Sequence, residues 1–153
     1  MMKIIFLDID GVLNVISQGH DEFGGIFHAH FEANLNKIIK QTGAKIVITS
    51  TWRSAGLSEM QRMWKYRNLP GEVIDITLFG ERQKRGYEIQ SWLDNNHCDN
   101  YVILDDDTDM LESQAANFVR CSGNIDHPDC IDIGYGLTQK CAEAAIKILN
   151  GDK

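Results

Sequence analysis

No stretch of this chain stays apolar long enough to cross a bilayer, which excludes a helical membrane span. Positive charge is also scarce. The formal net charge is −7, which argues against a membrane surface and against an extended nucleic-acid footprint. Most of the arginines fall in Trp52-Arg53, Arg62 to Arg67 and Arg82 to Arg85, so a local basic rim survives. An acidic protein that handles phosphate must attract it with a bound cation or with such local Lys and Arg. The four cysteines, Cys98, Cys121, Cys130 and Cys141, lack C-x-x-C spacing, which argues against a zinc site of the usual pattern. Apolar strand residues begin at Lys3-Ile4, leaving no room for a secretory leader. The expectation is a cytoplasmic protein with reduced, inert thiols. Internal repeats, low-complexity tracts and a second-domain linker are absent too. At 153 residues, with 43% apolar and 24% charged content, the chain reads as one globular domain over 1–153.

What is there is an alternation of short apolar runs and amphipathic stretches. Lys3 to Asp8 is a continuous apolar run, which predicts a strand buried on both faces. Val15 to His30 carries Gly19, Gly24 and Gly25 without clear periodicity and reads as a loop, so residues 15–32 are expected to form a flap. A helix is predicted over Ala33 to Thr42, with Leu35, Ile38 and Ile39 as its apolar face and Gly43 as its stop. Lys45 to Thr49 predicts a second strand. Ser58-Glu59-Met60-Gln61 has capping-box spacing and predicts a helix from there to Asn68, ended by Pro70-Gly71. Val73 to Thr77 predicts a short strand, and Tyr87 to Asn96 a third helix with Ile89, Trp92 and Leu93 on one face. Tyr101 to Leu104 and Asn117 to Arg120 predict two more strands. Thr138 to Asn150 predicts a closing helix with Thr138 as N-cap. Strands alternating with helices along the whole chain predict a three-layer α/β sandwich around a central parallel sheet. In such sheets ligands bind beyond the carboxyl ends of the strands, so the chemistry should lie just after them.

Three strand ends are polar: Asp8-Ile9-Asp10-Gly11, Thr49-Ser50-Thr51-Trp52-Arg53 and Asp105-Asp106-Asp107-Thr108-Asp109. Brought to one edge, their carboxylates would crowd together and could not all stay ionised without compensation. A hard divalent cation is the simplest compensation, and Mg2+ suits a site that keeps waters and accepts a phosphate oxygen. One carboxylate can then attack phosphorus to give an aspartyl-phosphate. A second, two residues on, can protonate the leaving oxygen and later activate water. A hydroxyl and a cationic side chain can hold the other phosphate oxygens. Gly11 permits the tight path that leaves the strand.

Asp8-x-Asp10-Gly11-Val12-Leu13 resembles the first motif of the haloacid dehalogenase-like (HAD) hydrolases. Ile46 to Ser50 resembles the second motif, an apolar strand ending in Thr or Ser. Lys84-Arg85 before a helix resembles the third, which supplies a cation. Val102-Ile103-Leu104-Asp105-Asp106 resembles the fourth, the acidic metal motif. More narrowly, Ser50-x-Trp52-Arg53, Arg85-Gly86-x-Glu88-Ile89-x-x-Trp92-Leu93, Leu104 to Asp107 and Gly136-Leu137-Thr138 resemble a small, capless HAD group associated with nucleic-acid (RNA) repair proteins. The resemblance implies a Rossmann-like HAD core with a minimal cap or none, acting as an Mg2+-dependent phosphomonoesterase. It implies Asp8 as nucleophile and metal ligand. It implies Asp10 as general acid/base with its backbone carbonyl on the metal, and Asp105 or Asp106 completing the metal site. Thr49 or Ser50 would bind the phosphoryl group; Ser50 is preferred, because Thr49 can be the last residue of the buried strand. Lys84 or Arg85 would be the phosphate cation. An arginine there departs from the lysine common in the superfamily and would grip oxygens as a fork, not as a point charge. Gly11 and Arg53 are further candidates for substrate contact.

Plainer roles stand beside these. Asp-Gly is a common turn pair. Thr51, Asp107 and Asp109 are candidate helix caps. Lys84 and Arg85 can be surface charge, and Arg53 can pair with a carboxylate. Ile89 and Trp92 sit at core spacing, and Trp52 can anchor the core or the flap instead of stacking on a base. His28-x-His30 lacks a further ligand nearby, which favours loop polarity or substrate contact over a metal. Neither the flap nor the stretch between the second and third strands is long enough for a full cap. The site should therefore be open to a phosphate on a small molecule, a protein or a nucleic-acid end. Two other classes compete. A receiver-type phosphorylatable module shares the α/β sheet and acidic Mg2+ pocket but carries a lone Asp in mid-chain, where this chain has Thr-Ser. A catalytically silent HAD-like binding domain is opposed by the intact Asp8 and Asp10. The oligomeric state has no sequence signal.

Overall fold

The computed structural model describes residues 1–14, 18–80, 84–121 and 136–151. Cys130, Arg82 and residues 15–17 of the expected flap lie outside them. In chain order the elements are β1 (Lys3–Leu7), β2 (His20–Asp21), β3 (Gly24–Gly25), α1 (Ala29–Thr42), β4 (Lys45–Ile48), α2 (Leu57–Tyr66) and β5 (Val73–Ile76). They continue with α3 (Arg85–Asn95), β6 (Asn100–Asp105), β7 (Phe118–Arg120) and α4 (Gln139–Leu149). Short 3-10 turns occupy Thr51–Ala55 and Glu112–Asn117. No helix among the described residues is long and apolar enough to cross a membrane.

Among the described residues, five strands form one parallel sheet in the order β5-β4-β1-β6-β7. The chain lays down strands outward from β1 on one side, then crosses back to the other, so the switch point lies beside β1. Numbered along the chain, these strands run third, second, first, fourth, fifth. A receiver-type module has the order second, first, third, fourth, fifth. The observed order removes that alternative.

Alternation along the strands splits the core in two. Leu7, Ile48 and Leu104 face a cluster that includes Leu35 of α1, Met63 of α2 and Ala145 of α4. Phe6, Val47 and Ile103 face the opposite side, where Ile89 and Trp92 of α3 cover them. Phe6 meets Trp92 edge-on, with centroids 5.4 Å apart, a geometry worth ~0.5–1.5 kcal/mol beyond the area it buries. Leu7 pairs with Ile48 on one side and Leu104 on the other. One step further, Asp8, Thr49 and Asp105 stand level at the carboxyl edge. By alternation they lie on the α3 side of the sheet.

Helix starts differ from expectation, each for a local reason. α1 begins at Ala29, not Ala33, because His28 Nδ1 accepts the His30 N–H at 3.1 Å and caps it. The flap therefore ends at His28, short of residue 32, and within it β2 and β3 form a small antiparallel hairpin. α2 begins at Leu57 behind Gly56, so Ser58 lies inside the helix and the expected capping box is not formed. α3 begins at Arg85 because Asp109 Oδ2, from after β6, accepts the Arg85 N–H at 2.9 Å. Gly43 and Thr138 do close α1 and cap α4 as expected.

Candidate active site

Where β1 ends, the chain turns at once. The amides of Val12, Leu13 and Asn14 all donate to the Ile9 carbonyl, at 3.1, 2.8 and 3.2 Å. Gly11 within this turn has φ +85, and a Cβ there would lie 2.1 Å from Asp106 Oδ2. Glycine is required twice over, for the left-handed backbone and to admit Asp106. That contact is the role the structure gives Gly11.

Asp8, Asp105 and Asp106 each offer a carboxylate oxygen, all within 4.8 Å of one another. Asp8 and Asp105 are buried. Arg85 reaches both, with Nη1 2.7 Å from Asp105 Oδ2 and 3.1 Å from Asp8 Oδ1. Burial raises the Asp8 pKa above the usual carboxylate range, the neighbouring Asp105 adds to this, and Arg85 opposes it. Burial also raises Asp105, against the pull of Arg85 and of the Asp107 N–H, which donates to Asp105 Oδ1 at 3.0 Å. If all three were ionised, these carboxylates would outnumber the one guanidinium that pairs with them among the described residues. With every carboxylate donor a hard oxygen, the set fits Mg2+.

Thr49 continues the sheet, its N–H donating to Leu7 O at 2.9 Å. Its buried hydroxyl has no partner among the described residues. The Ser50 hydroxyl is engaged, accepting the Trp52 N–H at 3.2 Å as cap of the 51–55 turn. Arg53 is buried. It donates from Nη1 to the Thr49 and Ser50 carbonyls and from Nη2 to Glu88 Oε1 at 2.8 Å. Of the two roles open to Arg53, the structure supplies the carboxylate partner. Lys84 is exposed at the start of α3, and it is Arg85 that the helix turns onto the carboxylates. Asp10 is exposed on the turn, where its Oδ1 accepts from Trp52 Nε1 and Asn14 Nδ2. Asp109 caps α3 and is not in the carboxylate cluster. A cavity of about 460 Å³ opens beside Arg85, with Thr51, Phe79 and Asp109 in its wall.

A family model described as the HAD domain in Swiss Army Knife RNA repair proteins matches residues 4–125. The chain belongs to this family. No curated protein and no solved structure matches it. The match spans β1 through β7, and so covers Asp8, Asp10, Thr49, Ser50, Arg85, Asp105 and Asp106. A HAD domain of this type, with a parallel Rossmann-like core, is a hydrolase fold with its acidic cluster at the strand ends. Two residues that matter to this HAD site carried no separate signal in sequence. Glu88 appeared only as a motif position, without its Arg53 partner. Asn14 was visible only as the last letter of the first motif region.

Proposed function

We propose that this HAD domain is an Mg2+-dependent phosphomonoester hydrolase working through an aspartyl-phosphate on Asp8. The observation that carries the reading is the convergence of Asp8, Asp105, Asp106 and Arg85 at the carboxyl edge of the sheet. The side chains of Asp8, Asp105 and Asp106, with the Asp10 backbone carbonyl, would hold the metal. Bound there, Mg2+ would supply the positive charge that lets an anionic carboxylate approach an anionic phosphate.

The remaining steps belong to the chain. Asp8 attacks phosphorus as the bond to the leaving oxygen breaks. Asp10, on the exposed side of the turn, gives that oxygen a proton and then takes one from the water that hydrolyses the aspartyl-phosphate. Arg85 grips phosphoryl oxygens with its fork. Thr49 Oγ1, level with Asp8 and without a partner among the described residues, is the hydroxyl we assign to the phosphoryl group in preference to Ser50. Among the described residues the small β2–β3 hairpin is the element nearest to a cap, so a bulky leaving group can remain in solvent. A phosphorylated nucleic-acid end fits this opening and the RNA-repair description of the matching family. The net charge of −7 confines contact to the terminus.

The test is phosphate release from an aryl phosphate and from 5′- and 3′-phosphorylated oligonucleotides, with Mg2+ and with chelator. The expected result is Mg2+-dependent turnover that is lost in Asp8→Asn and in Asp10→Asn. Turnover that survives chelation would contradict the metal assignment. An inactive wild type across the panel would favour a silent binding domain.

A further inference from the structure

Asp10 is exposed, yet one of its oxygens is tied down. Oδ1 accepts from the Trp52 indole Nε1–H and from the Asn14 amide Nδ2–H, each at 3.1 Å. An oxygen that already receives two N–H donors has its lone pairs occupied and is a poor seat for a proton. Resting on the reading of Asp10 as the acid/base, we propose that Trp52 and Asn14 are positioning residues that fix the Asp10 carboxyl and confine its transferable proton to Oδ2. When the phosphoester P–O bond breaks, its electron pair stays on the leaving oxygen, which takes the Oδ2 proton. In the second step Oδ2 accepts a proton from water, whose oxygen bonds to phosphorus as the Asp8–phosphorus link breaks.

The flap holds both donors in place. A Cβ on Gly24 would lie 3.2 Å from the Trp52 ring, and one on Gly25 would lie 3.1 Å from Asn14 Nδ2. The two glycines of β3 thus lie directly against the two donors, which larger residues would push aside. Phe27 packs on the Trp52 ring with centroids 5.5 Å apart. The hairpin is itself anchored to the end of α2. Arg67 donates to both Asp21 oxygens at 2.6 and 2.8 Å and to the Gly24 carbonyl at 3.1 Å. A segment without periodicity in sequence therefore acquires a function: it sets the orientation of the proton carrier.

Leaving-group dependence separates this role from a merely structural one. An aryl phosphate releases a weakly basic oxygen and needs little proton help, whereas an alkyl phosphate depends on it. Trp52→Phe keeps the ring and removes only the N–H. We expect the ratio of aryl to alkyl kcat/KM, which reports transfer to Asp8 and not the hydrolysis shared by both substrates, to rise on the order of tenfold, as loss of one hydrogen bond to a charged group implies. Asn14→Leu should move the ratio in the same direction. A second readout needs no metal or substrate. The Trp52 indole N–H resonance, assigned by its loss in Trp52→Phe, should shift upfield and exchange faster in Asp10→Ala. Equal loss of kcat/KM on both substrates, or an indole signal unmoved by Asp10→Ala, would overturn the proposal. A wild type inactive on every phosphoester would instead overturn the hydrolase reading beneath it.

Discussion

Glu88→Leu is the substitution whose cost the structure fixes most firmly. The Arg53 and Glu88 side chains are 1% and 5% exposed, and they pair at 2.8 Å. Glu88 Oε2 also accepts the Gly80 N–H at 2.8 Å, and the Phe79 ring lies 3.9 Å from the guanidinium. Leucine would leave Arg53 charged, buried and stripped of its Glu88 partner, a condition that costs about 3–5 kcal/mol. In a domain of this size that corresponds to a melting temperature lower by roughly 6–20 °C. Urea unfolding should show the midpoint falling with the slope unchanged. Adding Arg53→Met should restore about half of the loss or more, because an apolar pair of similar volume tolerates burial. The double variant still forfeits the hydrogen bonds to the Thr49 and Ser50 carbonyls, so recovery should be incomplete. A loss below about 1 kcal/mol in Glu88→Leu, the value of a surface pair, would refute the reasoning. So would a double variant that costs the sum of its singles.

Gly11→Ala should weaken Mg2+ binding more than it weakens the fold, measured by calorimetry beside thermal melting. The backbone term is ~1–2 kcal/mol for a side chain in the left-handed region, but the new Cβ would also overlap Asp106 Oδ2 and displace that carboxylate. Asp21→Asn should flatten the acid limb of stability. The Arg67 hydrogen bonds hold the Asp21 pKa down to about 2, against about 3.9 when unfolded. A depressed folded value stabilises above the unfolded pKa and loses that contribution as pH falls through the folded one. The gap between wild-type and variant melting temperatures should therefore close from about pH 4 downward to about pH 2; parallel curves would count against the pair.

Much of this architecture is legible in the amino-acid order because β1, β4 and β6 are interior strands. Both their faces are covered, so they read as unbroken apolar runs, and the polar residues that follow mark the sheet edge. What stayed open were choices between neighbours. Whether Lys84 or Arg85 faces the carboxylates depends on the phase of α3. That phase is set by Asp109, which caps the helix from 24 positions away in the chain. Ser50 is preferred in sequence because Thr49 can close the buried strand, but the chain path after β4 engages the Ser50 hydroxyl with the Trp52 N–H. The early start of α1 rests on a histidine ring nitrogen serving as cap, for which His28 carries no usual N-cap signature. The flap was opaque because Gly24 and Gly25 answer to Trp52 and Asn14, partners that only the folded turn brings within reach.

The central claim is that Asp8 carries the phosphoryl group. Acid quenching during turnover of a phosphoester with Mg2+, followed by mass mapping of the peptides, tests it directly. The account predicts phosphate on the peptide containing Asp8, increased in Asp10→Asn because hydrolysis of the intermediate is slowed, and absent in Asp8→Asn. Wild-type turnover in Asp8→Asn, or rapid phosphate release with label on another residue, would contradict it.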